Sequence, residues 1–262
     1  MELKKESFTI KKGLDIQLEG EAVRNLKTHL SSKSYIFPTD FRWFVPKLLV
    51  KEGDPVTVGT PLFCKKRDER VCVVSPVNGK ITQIVRGEKR VLEVIEIENE
   101  ATSIPKRCEI PENLSSSIIQ SLMLQNGLWP MLRQRPFSVI PSPDKKPKSL
   151  FISCFDSSPL APDFFFLLNN QKEMWQKGVE ILKLLLGEIP IYLGLNSNDN
   201  NSIFEETKDV NIRYFSGPHP AGNVGTQIHL VDPINKGESV WFIHPQDVVK
   251  IGRFFLKGEK SF

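Results

Sequence analysis

The sequence predicts a protein of mixed β and α/β class, with a small all-β unit over residues 1–100, a linker and helix over 101–148, and a three-layer α/β unit over 149–262. Three observations carry this. Turn signals recur at short intervals through residues 35–98 with β-branched residues between them, apolar strand-length runs alternate with helical stretches after residue 149, and 262 residues with 40% hydrophobic and 25% charged content can bury more than one core.

In the first unit the punctuation is Lys51-Glu52-Gly53-Asp54-Pro55, Val58-Gly59-Thr60-Pro61, Ser75-Pro76-Val77-Asn78-Gly79 and Arg86-Gly87-Glu88. Val91, Val94, Ile95 and Ile97 supply strand-forming residues between turns, and a compact sandwich or barrel should close near residue 100. Residues 101–111 hold two prolines and no period, which reads as linker. Leu114, Ile118, Leu122 and Met123 then fall at helical spacing, with Ser115 to Ser117 as N-caps and Gly127 as the stop.

In the last unit, residues 150–155 form an apolar strand, and Trp175, Val179, Leu182 and Leu186 line one helical face before Gly187. Residues 189–195, 210–215 and 239–243 are further strands. A final helix opens at Pro245, a favoured first helical position, and turns Val248, Ile251 and Phe255 inward. Strands alternating with helices imply a mostly parallel sheet covered on both faces.

Composition excludes several functions. Thirty-five basic against 31 acidic residues give +4, and the basic residues come in short runs (Lys65, Lys66, Arg67; Lys145, Lys146, Lys148), which is not the footprint of a nucleic-acid binder. No run approaches the roughly 18 apolar residues of a membrane span, and the start has no apolar signal region, so a cytoplasmic location is expected. Cys64, Cys72, Cys108 and Cys154 form no CxxC pair, and His29, His219, His229 and His244 no HExxH, so inert thiols and no metal site are expected.

Gly53, Gly59 and the Ser75-Pro76-x-x-Gly79 turn resemble the biotinyl/lipoyl carrier domain, a barrel-sandwich hybrid. A carrier presents its modified lysine on the hairpin before the Ser-Pro. Counting back from Ser75 puts that tip on Asp68, with Lys65 and Lys66 out of register, so a structural barrel is expected.

The α/β unit is Rossmann-like, yet it has no GxGxxG between strand and helix. The nearest phosphate cradle is Gly217-Pro218-His219-Pro220-Ala221-Gly222-Asn223-Val224-Gly225. Asn223 and Val224 stand where a P-loop needs Lys and Ser/Thr, and two prolines remove backbone donors. Gly217 and Gly222 are therefore structural turns, like Gly53, Gly59 and Gly79.

Five motifs in order then resemble one family. They are the opening Ile10-Lys11-Lys12-Gly13-Leu14-Asp15-Ile16; the Ser75 turn with Arg86-Gly87-x-Lys89-Arg90; Arg135-Pro136-Phe137; Phe155-Asp156-Ser157-x-Pro159-Leu160-Ala161; and the 217–222 loop. Together they are similar to the A subunit of the bacterial Na+-translocating NADH:quinone reductase, a family whose members continue into a further C-terminal region. That family in turn resembles the flavin-bearing, NADH-binding subunit of respiratory complex I and the C subunit of the Rnf complex. Those relatives carry a Gly-rich flavin loop after the first helix and an acidic stretch after the next strand. Here the first becomes residues 127–137, with bulky Trp129, Leu132 and Phe137, and the second becomes residues 154–159, with Ser157 and Ser158 in place of acids.

The resemblance implies an accessory peripheral subunit on the cytoplasmic face of the bacterial inner membrane, with no catalytic residue and no cofactor of its own in this fragment. NADH, flavins, iron–sulfur and quinone would lie in or near other subunits, chiefly the membrane subunit that handles quinone. Two rival readings are a flavin- or NADH-binding oxidoreductase domain of an Rnf-like complex and a biotin or lipoate carrier. A contact with ubiquinone or menaquinone needs an apolar wall and a few donors. Trp129 and Phe137 are the candidate wall, and Arg133, Arg135 and His219 the candidate donors. The same arginines could instead pair with acidic residues of a neighbouring subunit.

Overall fold

A computed structural model describes residues 6–16, 18–20, 22–100, 107–199, 202–260 and 262. Part of the linker expected at 101–111 therefore lies outside the described residues. Strand β1 (Ser7–Thr9) belongs to neither sheet of the barrel. The barrel is built from β2 (Lys33–Ile36), β3 (Pro46–Leu48), β4 (Pro55–Val56), β5 (Pro61–Lys65), β6 (Asp68–Val74), β7 (Gly79–Arg86) and β8 (Leu92–Asn99), in sheets ordered β2-β8-β7-β4 and β3-β5-β6. Leu62, Phe63, Val71, Ile81, Ile95 and Ile97 fill the space between the two sheets. Gly53 and Gly59 reverse the chain at φ 91° and 90°, where a side chain would be strained. Ser75 is buried, and its hydroxyl donates to the Val77 carbonyl at 2.7 Å, which closes the Ser-Pro turn.

The hairpin tip differs from the sequence expectation. Lys65 pairs with Asp68 across β5 and β6, so the turn itself is Lys66-Arg67 and Asp68 already belongs to the strand. Counting back from Ser75 misplaced the tip because bulges shift the β5–β6 register, which residue counting cannot see. Arg70 then pairs with Asp68 at 2.7 Å and with Asp144 at 2.6 Å, fastening the hairpin to the segment that leads into the α/β unit.

That unit follows with α1 (Ser116–Gln125), β9 (Arg133–Arg135), β10 (Leu150–Ser153), α2 (Phe164–Leu168), α3 (Lys172–Leu186), β11 (Ile191–Asn196), α4 (Ser202–Glu205), β12 (Asn211–Ser216), α5 (Val224–Val231), β13 (Val240–Phe242) and α6 (Pro245–Lys257). The sheet order is β1-β12-β11-β10-β13-β9, parallel except for the edge strand β9. Alternation divides each strand between two faces. Leu150, Ile152, Leu193 and Trp241 join the large core under α3 and α6, while Phe151, Val240 and Phe242 pack with Ile228 of α5 in a separate cluster. Helices α3 and α6 cross where a Cβ on Gly252 would stand 1.7 Å from the Met174 carbonyl oxygen, so only glycine permits the approach.

One segment crosses the division expected at residue 100. Strand β1 precedes the barrel in sequence yet pairs in parallel with β12, Ser7 opposite Tyr214. Three residues bounded by no turn signal give sequence reading nothing to hold.

Candidate functional site

After β10 the chain runs through α3 to β11 and β12 on one side of it, then through α5 to β13 on the other. The strand order therefore reverses between β10 and β13, and ligands of such sheets sit in the crevice at the carboxyl ends of those strands. Here that crevice holds about 250 Å³ and is lined by Arg135, Asp156, Ser158, Asn223, Phe242 and His244, among others. A second cavity of about 470 Å³ shares Phe155, Asp156 and Phe164 with it and adds Asp163 and Asp199.

Each wall residue is placed by the end of an element. His244 caps α6 immediately after β13, with Pro245 as the first helical residue. Burial lowers the pKa of its imidazole, with Asp247 and then Asp156 opposing the shift and Arg133 and then Arg135 reinforcing it, so His244 faces the crevice neutral at physiological pH. Arg135, at the end of β9, lays its guanidinium 5.0 Å from the Phe242 ring centroid, and its buried Nε has no partner among the described residues. Desolvation lowers the Arg135 pKa as well, though an arginine stays charged.

Behind the wall, side chains consume the amides that a phosphate would need. The Gly222 amide donates to the Ser157 hydroxyl at 2.8 Å, and the Ser157 oxygen lies 3.0 Å from His219 Nδ1. Gly225 N–H donates to Asn223 Oδ1 at 2.8 Å, and Ser158 N–H donates to Asp156 Oδ1 at 2.8 Å. At the start of α2, Phe166 N–H donates to the Asp163 carboxylate at 2.9 Å. Gln227, fully buried, donates to the Ser153 hydroxyl at 2.8 Å and to the Ala221 carbonyl at 3.3 Å. A side chain at Gly222 would stand 2.4 Å from the Ser157 nitrogen, so this loop is closed against the one after β10.

The residues around the two cavities fit a flavin or dinucleotide phosphate poorly. At the start of α2 a carboxylate takes the helix amide, and three aspartates line the larger cavity against one arginine, Arg24, which is itself paired with Asp163 at 3.5 Å. The smaller cavity, where Arg135 is the cation, is below the roughly 300–1,000 Å³ of ordinary ligand sites. Among the described residues, no group of three or more His, Cys, Asp or Glu could hold a metal. Desolvation pushes the Cys72 thiol up to about 11 and raises Cys64 and Cys154 also, which disfavours their thiolates.

The five residues expected to form one quinone or partner contact have different surroundings, although Arg133 and Arg135 share β9 and both act on His244. Trp129 is buried, donating its indole N–H to the Pro141 carbonyl at 2.9 Å and meeting Trp241 edge-on at 5.7 Å. Arg133 reaches the barrel, 5.7 Å from the Phe41 ring centroid. Phe137 packs on Trp43, ring centroids 4.7 Å apart. His219 is held by Ser157 and by Asp15, whose carboxylate accepts its backbone N–H at 2.8 Å. Arg135 is the member that lines the crevice. Sequence reading passed over His244, although its place between a strand and Pro245 marks the carboxyl edge of the sheet. Of the glycines read as turns, Gly217 has φ 106°, and a Cβ on Gly79 would stand 2.0 Å from the Glu98 carbonyl oxygen.

Comparison with known proteins agrees with this architecture. Residues 8–100 match the NqrA N-terminal barrel-sandwich hybrid domain, and residues 114–260 match the NqrA second alpha/beta domain. The chain is 35% identical over 260 residues to the A subunit of the Na(+)-translocating NADH-quinone reductase of Actinobacillus pleuropneumoniae serotype 5b (strain L20), covering 96% of this chain and 58% of that protein. It is 36% identical over 257 residues to the corresponding protein of Haemophilus influenzae (strain PittEE), covering 96% and 57%. With that of Glaesserella parasuis serovar 5 (strain SH0165) it shares 35% over 259 residues, with the same two coverages of 96% and 57%. The chain thus spans less than two thirds of the length of the curated relatives it matches. Barrel, linker and α/β unit, matched in order over nearly all of its residues, show that the chain belongs to the NqrA family, the A subunits of the Na+-translocating NADH-quinone reductase.

Proposed function

We propose that the chain is an accessory, peripheral part of the Na+-translocating NADH-quinone reductase, on the cytoplasmic face of the bacterial inner membrane, and that it holds no redox cofactor. In the assembled enzyme it serves the coupling of NADH oxidation and quinone reduction to sodium export through contact with other subunits, chiefly the one that handles quinone. NADH, flavins, iron–sulfur and quinone then act in or near those subunits. No helix among the described residues is long and apolar enough to cross a membrane.

The observation that carries this reading is the switch-point crevice. Its amides are bonded to Ser157, Asn223 and Asp156, and beside the adjoining cavity a helix amide is bonded to Asp163, so a phosphate would have to break existing hydrogen bonds and approach carboxylates. The test is the visible spectrum of the chain purified without added cofactor. A colourless protein is expected. Flavin or nicotinamide recovered one-to-one would overturn the reading in favour of a flavin- or NADH-binding oxidoreductase domain.

A further inference from the structure

The barrel hairpin and the segment entering the α/β unit enclose a groove of about 760 Å³ that the crevice chemistry does not use. Val71, Val139 and Pro141 contribute its apolar lining, and Trp43 and Val45 stand at its side, 63% and 56% exposed. Phe137, 47% exposed, extends the apolar surface by packing on Trp43. An exposed indole at a non-glycine φ of 56° costs the backbone about 1–2 kcal/mol and offers the folded chain little burial in return. Large exposed aromatic surface of this kind marks an interaction site.

The charge at the mouth is one-sided. Arg70 takes both groove carboxylates, Asp68 and Asp144, while Lys65 and Arg67 have no ion-pair partner among the described residues. Arg42, over the Trp43 ring at 5.9 Å, also lacks one among them. A ligand that completes this surface brings carboxylates to Lys65 and Arg67 and an apolar side chain to Trp43. The concave shape suits a chain segment and disfavours a flat bilayer.

We infer that this groove docks an acidic, apolar-bearing segment of a partner subunit. The inference rests on the reading of the chain as one component of the reductase. The test uses the complex purified from cells that make the protein, with a photo-reactive phenylalanine analogue replacing Trp43. Light should join it to a carboxylate-rich segment of another subunit. Lys65→Glu with Arg67→Glu should weaken retention in the complex about tenfold, with a loss of salt dependence. Trp43→Gly should weaken it about thirtyfold while leaving the melting temperature unchanged or higher, since glycine suits the left-handed backbone. Adducts only to lipid, binding to phosphatidylglycerol vesicles that matches retention in the complex, or unchanged retention of all variants would overturn the groove. If the unaltered chain does not co-purify with the rest of the reductase, the functional reading falls and the groove with it.

Discussion

Gly222→Ala should destabilise the protein although it adds one methyl group. The new Cβ would stand 2.4 Å from the Ser157 nitrogen and 2.8 Å from the Asp156 Cα and carbonyl carbon, all backbone atoms that cannot swing aside. Overpacking of this kind costs about 1–3 kcal/mol, and parting the loops stretches the Gly222 N–H bond to Ser157, worth about 1 kcal/mol more. The expected loss is about 2–4 kcal/mol, or roughly 5–15 °C in melting temperature for a chain of this size. Gly225→Ala is the matched control. Its Cβ would meet only the Asn223 side-chain oxygen at 3.1 Å, and alanine is the better helix former by about 1 kcal/mol. Circular-dichroism melts of both variants decide the matter. A Gly222→Ala melt within 2 °C (about 1 kcal/mol or less) of the unaltered protein would refute the closed crevice.

Three further outcomes are expected. Burial lowers the His244 pKa below its ordinary 6.5, so the unfolded chain binds more protons and stability falls as pH drops below that value. Melts from neutral pH downward should show this slope, and His244→Gln should reduce it; an identical slope in the variant would contradict the buried neutral imidazole. Trp129→Phe removes the indole donor to Pro141 and leaves a buried carbonyl unpaired, for about 1–3 kcal/mol in urea titration, whereas a surface role would leave the midpoint unchanged. Although the turn carries Lys66, where a carrier presents its lysine, the intact mass should equal the sequence mass, since Arg70 bridges Asp68 and Asp144 and fastens the hairpin strand to the segment entering the α/β unit. A lipoyl or biotinyl increment on Lys66 would reject that reading.

The fold was largely legible because its signals are local. Helix α6 opens at Pro245 and ends before Gly258, and the expected faces of α3 and α6 are the buried ones. Helix α1 has its N-cap at Ser115 as expected, yet it buries Ile119 and Met123 while Ile118 is partly exposed. With apolar residues at both 118 and 119, periodicity alone could not choose the face. In β8 the inward residues are Leu92, Ile95 and Ile97, and Val91 is exposed, because a bulge against β7 breaks the alternation. Strands β1 and β9 depend on partners far along the chain and have almost no local signature.

The candidate site was less legible for the same reason. Trp129 and Phe137 lie eight residues apart, yet Trp129 is core and Phe137 is surface. What joins Ser157, His219 and Asp15 is the closing of three loops, and no spacing in the sequence announces it. The absence of a glycine fingerprint was visible; the carboxylate at the start of α2 as its physical counterpart was not.

The central claim, a reductase component without a redox cofactor, is tested most directly by purifying the complex from cells that make this chain, separating its subunits and measuring flavin and iron on each. The chain is expected to co-purify one-to-one with the other subunits and to carry neither. Stoichiometric flavin or iron on this chain, or its absence from the purified reductase, would contradict that claim.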